Sequence, residues 1–523
     1  MPPVLRRIIE RCLAKRAEDR YPSTRDLHGD LVTVQKQSPD AVTPVTTPAA
    51  KTRDAIVVLP LKILRGRPDA EFLAFSLPDA IAASLAERPT MAVRSPLAAE
   101  RHGGAAADLA TLAEAMGARY ALTGTLTCLD ERIAVRLQLL ELPAGTVLFS
   151  DSRVATLSEL FDLQDAVAAH IGRALPTTMG AGSPVSSAER DVPKSAGAYA
   201  FYLRANQLAY EVSHWDEARD LYRACLEADP DFAPAWARLA RCERLIGKYS
   251  TSREEATECM HRAEEAFQRA LSLHPDLAIG HKLYAQLMID LGRADEAMQR
   301  LLQRVSRRPA DSELYAGLVH ALRFCGLLDA SVAAHARARA LDPTVATSIH
   351  HTWWMKGEYE LALSETLGDI GYMQGLALSS LGREREAVAA LRWRERETTV
   401  SRVRPYLTSL RTALEGDRKK SLEALDEATA LQVDAEALYY LARTFARLGE
   451  ADRAANELDR VVEGGFWCYD AFVHDRWLDP IRHRADVGQL LARAHEHVVQ
   501  AHAMFVEAGG PQLIQAPLTN GAR

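Results

Sequence analysis

Apolar residues along this chain keep two rhythms, and the change falls near residue 198. Between 54 and 176, short apolar runs and period-two alternation prevail. Ile56, Val57, Val58, Leu59 and Leu61 form a run that suits a buried strand. Tyr120, Leu122 and Gly124, then Ile133, Val135, Leu137 and Leu139, alternate with polar neighbours as half-buried antiparallel strands do. Val147, Leu148 and Phe149 add a third strand of that set, and 91–93 reads as another. Helical stripes at 72–85 (entered or kinked at Pro78), 108–116 and 157–175 alternate with the strands. The pattern predicts a small mixed α/β sheet domain over 54–176. From 198 to 465 the apolar spacing is three and four throughout, so the chain is multidomain and mainly α.

The helical part repeats itself. Pro230, Pro275, Pro309 and Pro343 stand 45, 34 and 34 residues apart, the first interval holding an insertion of 11 between Gly247 and Ala263. Twelve residues before each proline sits a small residue (Ala218, Ala263, Ala297, Ser331), and eight before it a larger one (Tyr222, Phe267, Leu301, His335). Trp236 and Leu239 open a first helix. Small residues let paired helices approach, large ones fill the groove, and proline stops the second helix. A second ladder keeps an offset of five: Gly292/Ala297, Gly326/Ser331, Gly357/Ala362, Gly382/Ala387, Gly416/Ser421 and Gly449/Ala454. The pattern resembles the tetratricopeptide (TPR) repeat, a helix–turn–helix of about 34 residues. The resemblance implies seven or eight units from 198 to 465 that bind a protein or peptide in their concave face. Residues 466–508, with Trp477, Pro480, Val487 and Leu490, read as a capping segment, and 509–523 as a disordered tail.

Two further resemblances concern the front of the chain. Ala55-Ile56-Val57-Val58-Leu59-Pro60, Gly117-Ala118-Arg119-Tyr120-Ala121-Leu122-Thr123-Gly124 and Leu163-Gln164-Asp165 make 54–176 similar to the TolB-N-like (FlgO-like) module. That module is found behind bacterial kinases, adenylate cyclases and winged-helix regulators. In 1–36, Leu5, Ile8, Ile9, Cys12 and Leu13 make one helical stripe, and Leu27, Leu31 and Val34 a second. Two such helices need a partner surface for their stripes. With Glu18-Asp19-Arg20-Tyr21-Pro22-Ser23 between them, they resemble the last two helices of a bacterial serine/threonine kinase. In such kinases the arginine matching Arg20 pairs with a glutamate just after the activation segment; this sequence has no such segment, so Arg20 would lack that partner. Gly-x-Gly-x-x-Gly, His-Arg-Asp and Asp-Phe-Gly are not in the sequence, so no phosphoryl-transfer site is readable. Linkers rich in Pro, Thr, Ser and Gly occupy 37–53 and 177–197.

Composition narrows the function. A content of 48% hydrophobic and 25% charged residues is that of an ordinary globular chain, and a net charge of −7 gives no pull towards nucleic acid or anionic membrane. No apolar run reaches membrane-spanning length, and the Arg6-Arg7 start does not suit a secretory signal. The seven cysteines stand singly, which fits a reducing cytoplasm. No catalytic residue, cofactor or metal set emerges. His495-Glu496-His497 lacks the spacing of a zinc motif because position 499 is Val499, and a solvated helix surface suits it better. Residues 382–420 carry eleven Lys or Arg against six Asp or Glu. Arg383, Arg385, Arg392, Arg394 and Arg396 are therefore candidates for a groove that takes an acidic peptide or phosphorylated partner. A salt-laced exposed helix is the plainer alternative.

The chain reads as a non-catalytic protein-interaction scaffold in bacterial signalling, by resemblance the regulatory rear of a serine/threonine kinase. The alternatives are an active kinase whose lobes are missing from this sequence, which DNA upstream of Met1 would reveal, and a subunit that docks on a separate kinase or its substrate.

Overall fold

A computed structural model describes residues 55–515 apart from 68–69, 87–91, 101–103, 105–107, 130–131, 157–158, 176–192, 366–370, 399–400 and 431–433. The kinase-like segment with Arg20, the 37–53 linker and most of the second linker lie outside these residues.

The sheet domain starts with β1 (Ala55–Val58), β2 (Lys62–Arg65), helix α1 (Leu73–Ala86), β3 (Ala92–Arg94), α2 (Pro96–Glu100) and α3 (Leu109–Met116). A meander of β4 (Tyr120–Leu129), β5 (Arg132–Glu141) and β6 (Thr146–Thr156) follows, closed by α4 (Leu160–Ala174). Strand order is β3-β1-β4-β5-β6, with β1 parallel to both neighbours, β4-β5-β6 antiparallel, and β2 added to β4. All four β1 residues are buried, as a central parallel strand requires. Pro78 lies inside α1 without breaking it. The carbonyl that its missing N–H leaves open, on Ala74, accepts the Leu61 amide at 2.7 Å. Strand β2 had no signal in the sequence, because all of its residues are exposed.

Eight helix pairs follow: α5 (Ala196–Leu208) and α6 (Trp215–Ala228); α7 (Ala233–Tyr249) and α8 (Arg253–Leu273); α9 (Ala278–Asp290) and α10 (Ala294–Arg307); α11 (Ser312–Phe324) and α12 (Leu328–Leu341). Then come α13 (Ile349–Met355) and α14 (Tyr359–Ser364); α15 (Tyr372–Ser380) and α16 (Glu384–Glu397); α17 (Arg404–Glu415) and α18 (Arg418–Ala430); α19 (Ala435–Arg447) and α20 (Ala451–Glu463). The inserted residues after Gly247 lengthen α7 to 17 and α8 to 21 residues instead of forming a loop. All six ladder glycines have φ between 73° and 81°, the left-handed conformation that ends a first helix.

Pro230, Pro275, Pro309 and Pro343 each stand just past the second helix of a pair. Six residues beyond the first three, a side chain of the next pair meets the proline's own carbonyl. Trp236 Nε1 donates to Pro230 O at 2.9 Å, His281 Nε2 lies 2.7 Å from Pro275 O, and the Tyr315 hydroxyl donates to Pro309 O at 3.3 Å. The proline therefore ends one unit and anchors the next.

The C-terminal segment holds α21 (Tyr469–His474), α22 (Ala485–Glu507) and α23 (Gly510–Gln515). The expectation of disorder from 509 is corrected for 509–515. There Ile514 is buried, Gly510 presses on the Phe505 ring, and the Leu513 carbonyl lies 3.4 Å from the Tyr315 hydroxyl. His497 is likewise packed, stacked on Trp467 at 4.1 Å and 3.0 Å from Asp295.

Sheet domain and solenoid meet at two places. One is α1 and α4 against α5 and the turn after it, where the Tyr210 hydroxyl donates to Asp79 at 3.2 Å and the Tyr199 hydroxyl donates to Gln164. The other is Arg94, which donates to Met116 O at 3.0 Å and to Leu341 O at 3.3 Å and pairs with Asp342 at 3.2 Å.

Candidate protein-binding face

First helices of successive pairs stack on one another, as α7 on α9 and α9 on α11. One of them, α19, reaches across to α11, α13 and α15, where Glu436 pairs with Arg323 and Tyr440 meets Trp354 and Tyr372. Eleven of its thirteen residues are buried, so it is a central helix and not a surface one. Tyr439 and Tyr440 pack on Trp354 at 6.3 and 5.8 Å between ring centres, and Phe466 meets Phe324 edge-on at 5.0 Å. The Trp467 amide donates to Phe324 O at 2.8 Å. The solenoid folds back on itself past two short units, whose helices α13, α14 and α15 have seven, six and nine residues.

Charged groups fix α19 in place. Arg323 grips Glu436 with Nε at 3.0 Å and Nη2 at 2.9 Å, and its Nη1 donates to Ser348 O and Oγ at 3.1 and 2.9 Å. The Tyr440 hydroxyl and His351 Nδ1 add contacts to the same carboxylate at 3.1 and 2.9 Å. Burial would raise the Glu436 pKa, but Arg323 and His351 hold it well below the usual carboxylate range. Asp434 caps the N-terminus of α19 by accepting from Ala437 N at 2.9 Å, and it also meets Lys248 at 2.9 Å. Lys248 bridges on to Asp290 at 2.7 Å, beside Arg244. Arg443 lies over the Trp477 ring at 3.9 Å and pairs with Asp475.

Beside α19 a cleft of about 200 Å³ stays open between α9 and α11. Lys282, Gln286, Glu313, His320 and Thr347 line it, and Lys282 pairs with Glu313 across its mouth at 2.7 Å. Burial, with Arg323 nearby, pushes the imidazole of His320 down to about 3. Burial, with His351 beside it, does the same to His350, to about 3. The Asp290 carboxyl falls to about 2 because Lys248 and Arg244 outweigh its burial.

These shifts share one sign. An imidazole that stays neutral when folded but titrates near 6.5 when unfolded costs stability as pH falls from 6.5 towards 3. Asp290 adds stability that is present above its unfolded value of 3.8 and lost as pH falls towards 2. The thermal unfolding midpoint should therefore begin to fall below about pH 6.5, and H320F should remove part of that upper limb. An unfolding midpoint that stays constant from neutrality to pH 4 would refute this.

Among the residues singled out in the sequence, Ala218, Tyr222, Ala263, Phe267 and Ala297 have no exposed surface and lie between the helices of their pairs. Leu239 is buried, Trp236 is half-buried against Pro230, and the four prolines sit exposed at unit ends. Gly292 and Gly326 end α9 and α11 with positive φ and touch the chain at 464–467.

The arginine group lies on α16, which buries only Ala387 and Leu391. It is the second helix of its pair. Arg383 pairs with Glu386 at 2.7 Å and Arg392 with Glu415 at 2.8 Å, Arg394 lies against Gly371, and Arg385 and Arg396 are exposed. Arg411 of α17 pairs with Glu395 at 3.0 Å and links α16 to the next pair. No described helix is long and apolar enough to cross a membrane.

A solenoid of paired helices, closed over its own central helix and carrying a small α/β domain, defines the class. Residues 260–322 and 436–463 each match a tetratricopeptide repeat family, the second match covering α19 and α20. The chain therefore contains TPR repeats and is a protein-interaction scaffold of that kind. "Putative adenylate cyclase 3" of Rhizobium meliloti (strain 1021) is 25% identical over 260 residues, 48% of this chain and 43% of that protein. The chain thus spans less than half the length of this curated relative. Similar solved structures include the Cut9–Hcn1 hetero-tetramer of the APC/C (12% identity, TM-score 0.34, 64% of this chain and 83% of that one). A thermophilic TPR protein of Thermus thermophilus is 20% identical with a TM-score of 0.16, over 46% of this chain and 98% of that one.

Proposed function

We propose that the chain is the regulatory scaffold of a bacterial signalling enzyme and holds a protein partner at the open cleft between α9 and α11. The observation that carries this reading is the double attachment of the sheet domain, at Asp79 and at Arg94, to helix pairs far apart in sequence. Such a platform presents its parts in a fixed relation, which suits holding a partner in one orientation. The identity of the enzyme has two readings. Residues 1–36 resemble the end of a serine/threonine kinase and support a kinase, in the same polypeptide or in another chain. The match to the Rhizobium meliloti protein supports an adenylate cyclase in that place.

Capture on the tagged full chain, from cells that produce it, tests both. A kinase predicts protein phosphorylation by the eluate, lost when 1–36 is deleted. A cyclase predicts cyclic AMP formation. K282E should lower capture of either, since it places a second carboxylate beside Glu313. An eluate with neither activity would overturn the scaffold's assignment to signalling.

A further inference from the structure

One face of the sheet is half bare. The face bearing Leu122, Leu126, Ile133, Val135 and Leu137 packs on α1 and α4. Among the described residues, α2 and α3 cover the opposite face only around Ala121 and Leu140. Beyond that point its side chains are exposed or half-exposed. Pairing register places Lys62, Thr125, Arg136 and Ser152 in one row across four strands, and Leu129, Arg132 and Thr156 in a row further on. None of these residues is acidic. Lys62 and Arg136 are exposed and have no ion-pair partner among the described residues.

Cations interleaved with hydroxyls and flanked by exposed aliphatics define a limited range of partners. Leu129 and Val154, 44% and 52% exposed, supply the aliphatic part. A single-stranded nucleic acid would want aromatic rings to stack on, whereas Phe149 faces the other way, 5.6 Å from His170. An anionic membrane would want a denser basic cluster with interfacial Trp or Tyr at its rim. We infer that this bare face docks an acidic segment of another protein, whose carboxylates meet Lys62, Arg132 and Arg136 while its aliphatic side chains cover Leu129 and Val154. Lys62 and Arg136 flank β4, two strand spacings or about 10 Å apart, and Arg132 lies about 13 Å along β5 from Arg136. The segment therefore needs carboxylates at that spacing.

The test uses the full chain and a short fluorescein-labelled peptide that alternates glutamate and leucine. Fluorescence anisotropy should rise with wild-type protein and fall back with added salt. The K62E/R136E pair should weaken binding at least about tenfold. Both positions are exposed, so the thermal midpoint should not move. K62Q/R136Q removes charge without adding repulsion and should give a smaller loss in the same direction. Equal peptide binding by wild type and both variants overturns the proposal, as does absence of binding to wild type. Single-stranded DNA or phosphatidylserine vesicles bound in place of the peptide, with that binding lost in K62E/R136E, would overturn the choice of a protein partner. None of these outcomes depends on which enzyme the scaffold serves.

Discussion

Replacing Glu436 by alanine is expected to loosen α19 from the helices around it by about 3–5 kcal/mol, the usual cost of breaking one side of a buried ion pair. The Arg323 and Glu436 side chains are 1% and 7% exposed, so water cannot take over the lost contacts. Arg323 keeps its bonds to Ser348, which argues for the lower end. The Tyr440 hydroxyl loses its carboxylate as well but keeps His351 Nδ1 at 2.8 Å, so it is not left unsatisfied and adds little. Native-state hydrogen exchange should register the change as a matching loss of protection in α19, with α1 and α4 unaffected. The paired replacement R323M/E436L should restore most of the protection, because apolar residues of similar volume can replace such a pair at little cost. Protection of α19 unchanged in E436A would mean that the helix is held by packing alone.

Two alanine substitutions at glycines of the same φ should differ about twofold in cost. Gly449 and Gly465 both have φ of 81°. A Cβ on Gly449 meets nothing within 4 Å, so G449A should cost only the left-handed conformation, about 1–2 kcal/mol. A Cβ on Gly465 would run into the carbonyl oxygen of Gly292 and stand 2.6 Å from its Cα. Two backbones cannot rotate away as side chains can, so G465A should add an overpacking cost of about 1–3 kcal/mol. Thermal unfolding of the two variants side by side measures the difference. Equal midpoints would mean that the turns at 292 and 465 do not touch in solution.

What was legible in the sequence was local. Ala263, Phe267 and Pro275 recur because every unit solves the same packing problem, and the glycine ladder survives where the prolines fail. The fold-back was not legible in that way. Arg323 and Glu436 lie 113 residues apart and neither belongs to a periodic pattern. One signal was available: nine of the twelve residues 435–446 are apolar, too many for a helix with a solvent side. The ion pairs of the α16 arginines were not legible either, since a charge excess does not say which carboxylates it meets. Strand β2 carries Lys62 of the proposed docking row, and it gave no sign because an exposed edge strand needs no apolar alternation.

The bond from Arg94 to the carbonyl of Leu341 spans 247 residues, and this has a consequence on the ribosome. At roughly 5–20 residues per second, the second attachment point leaves the ribosome about 12–50 seconds after the first. During that interval the sheet domain has its own strands but not the surface at 341–343 that Arg94 and Gly117 rest on. The order of synthesis thus makes the sheet domain wait for the middle of the chain, and a pause or cleavage before residue 341 would leave that side of it bare.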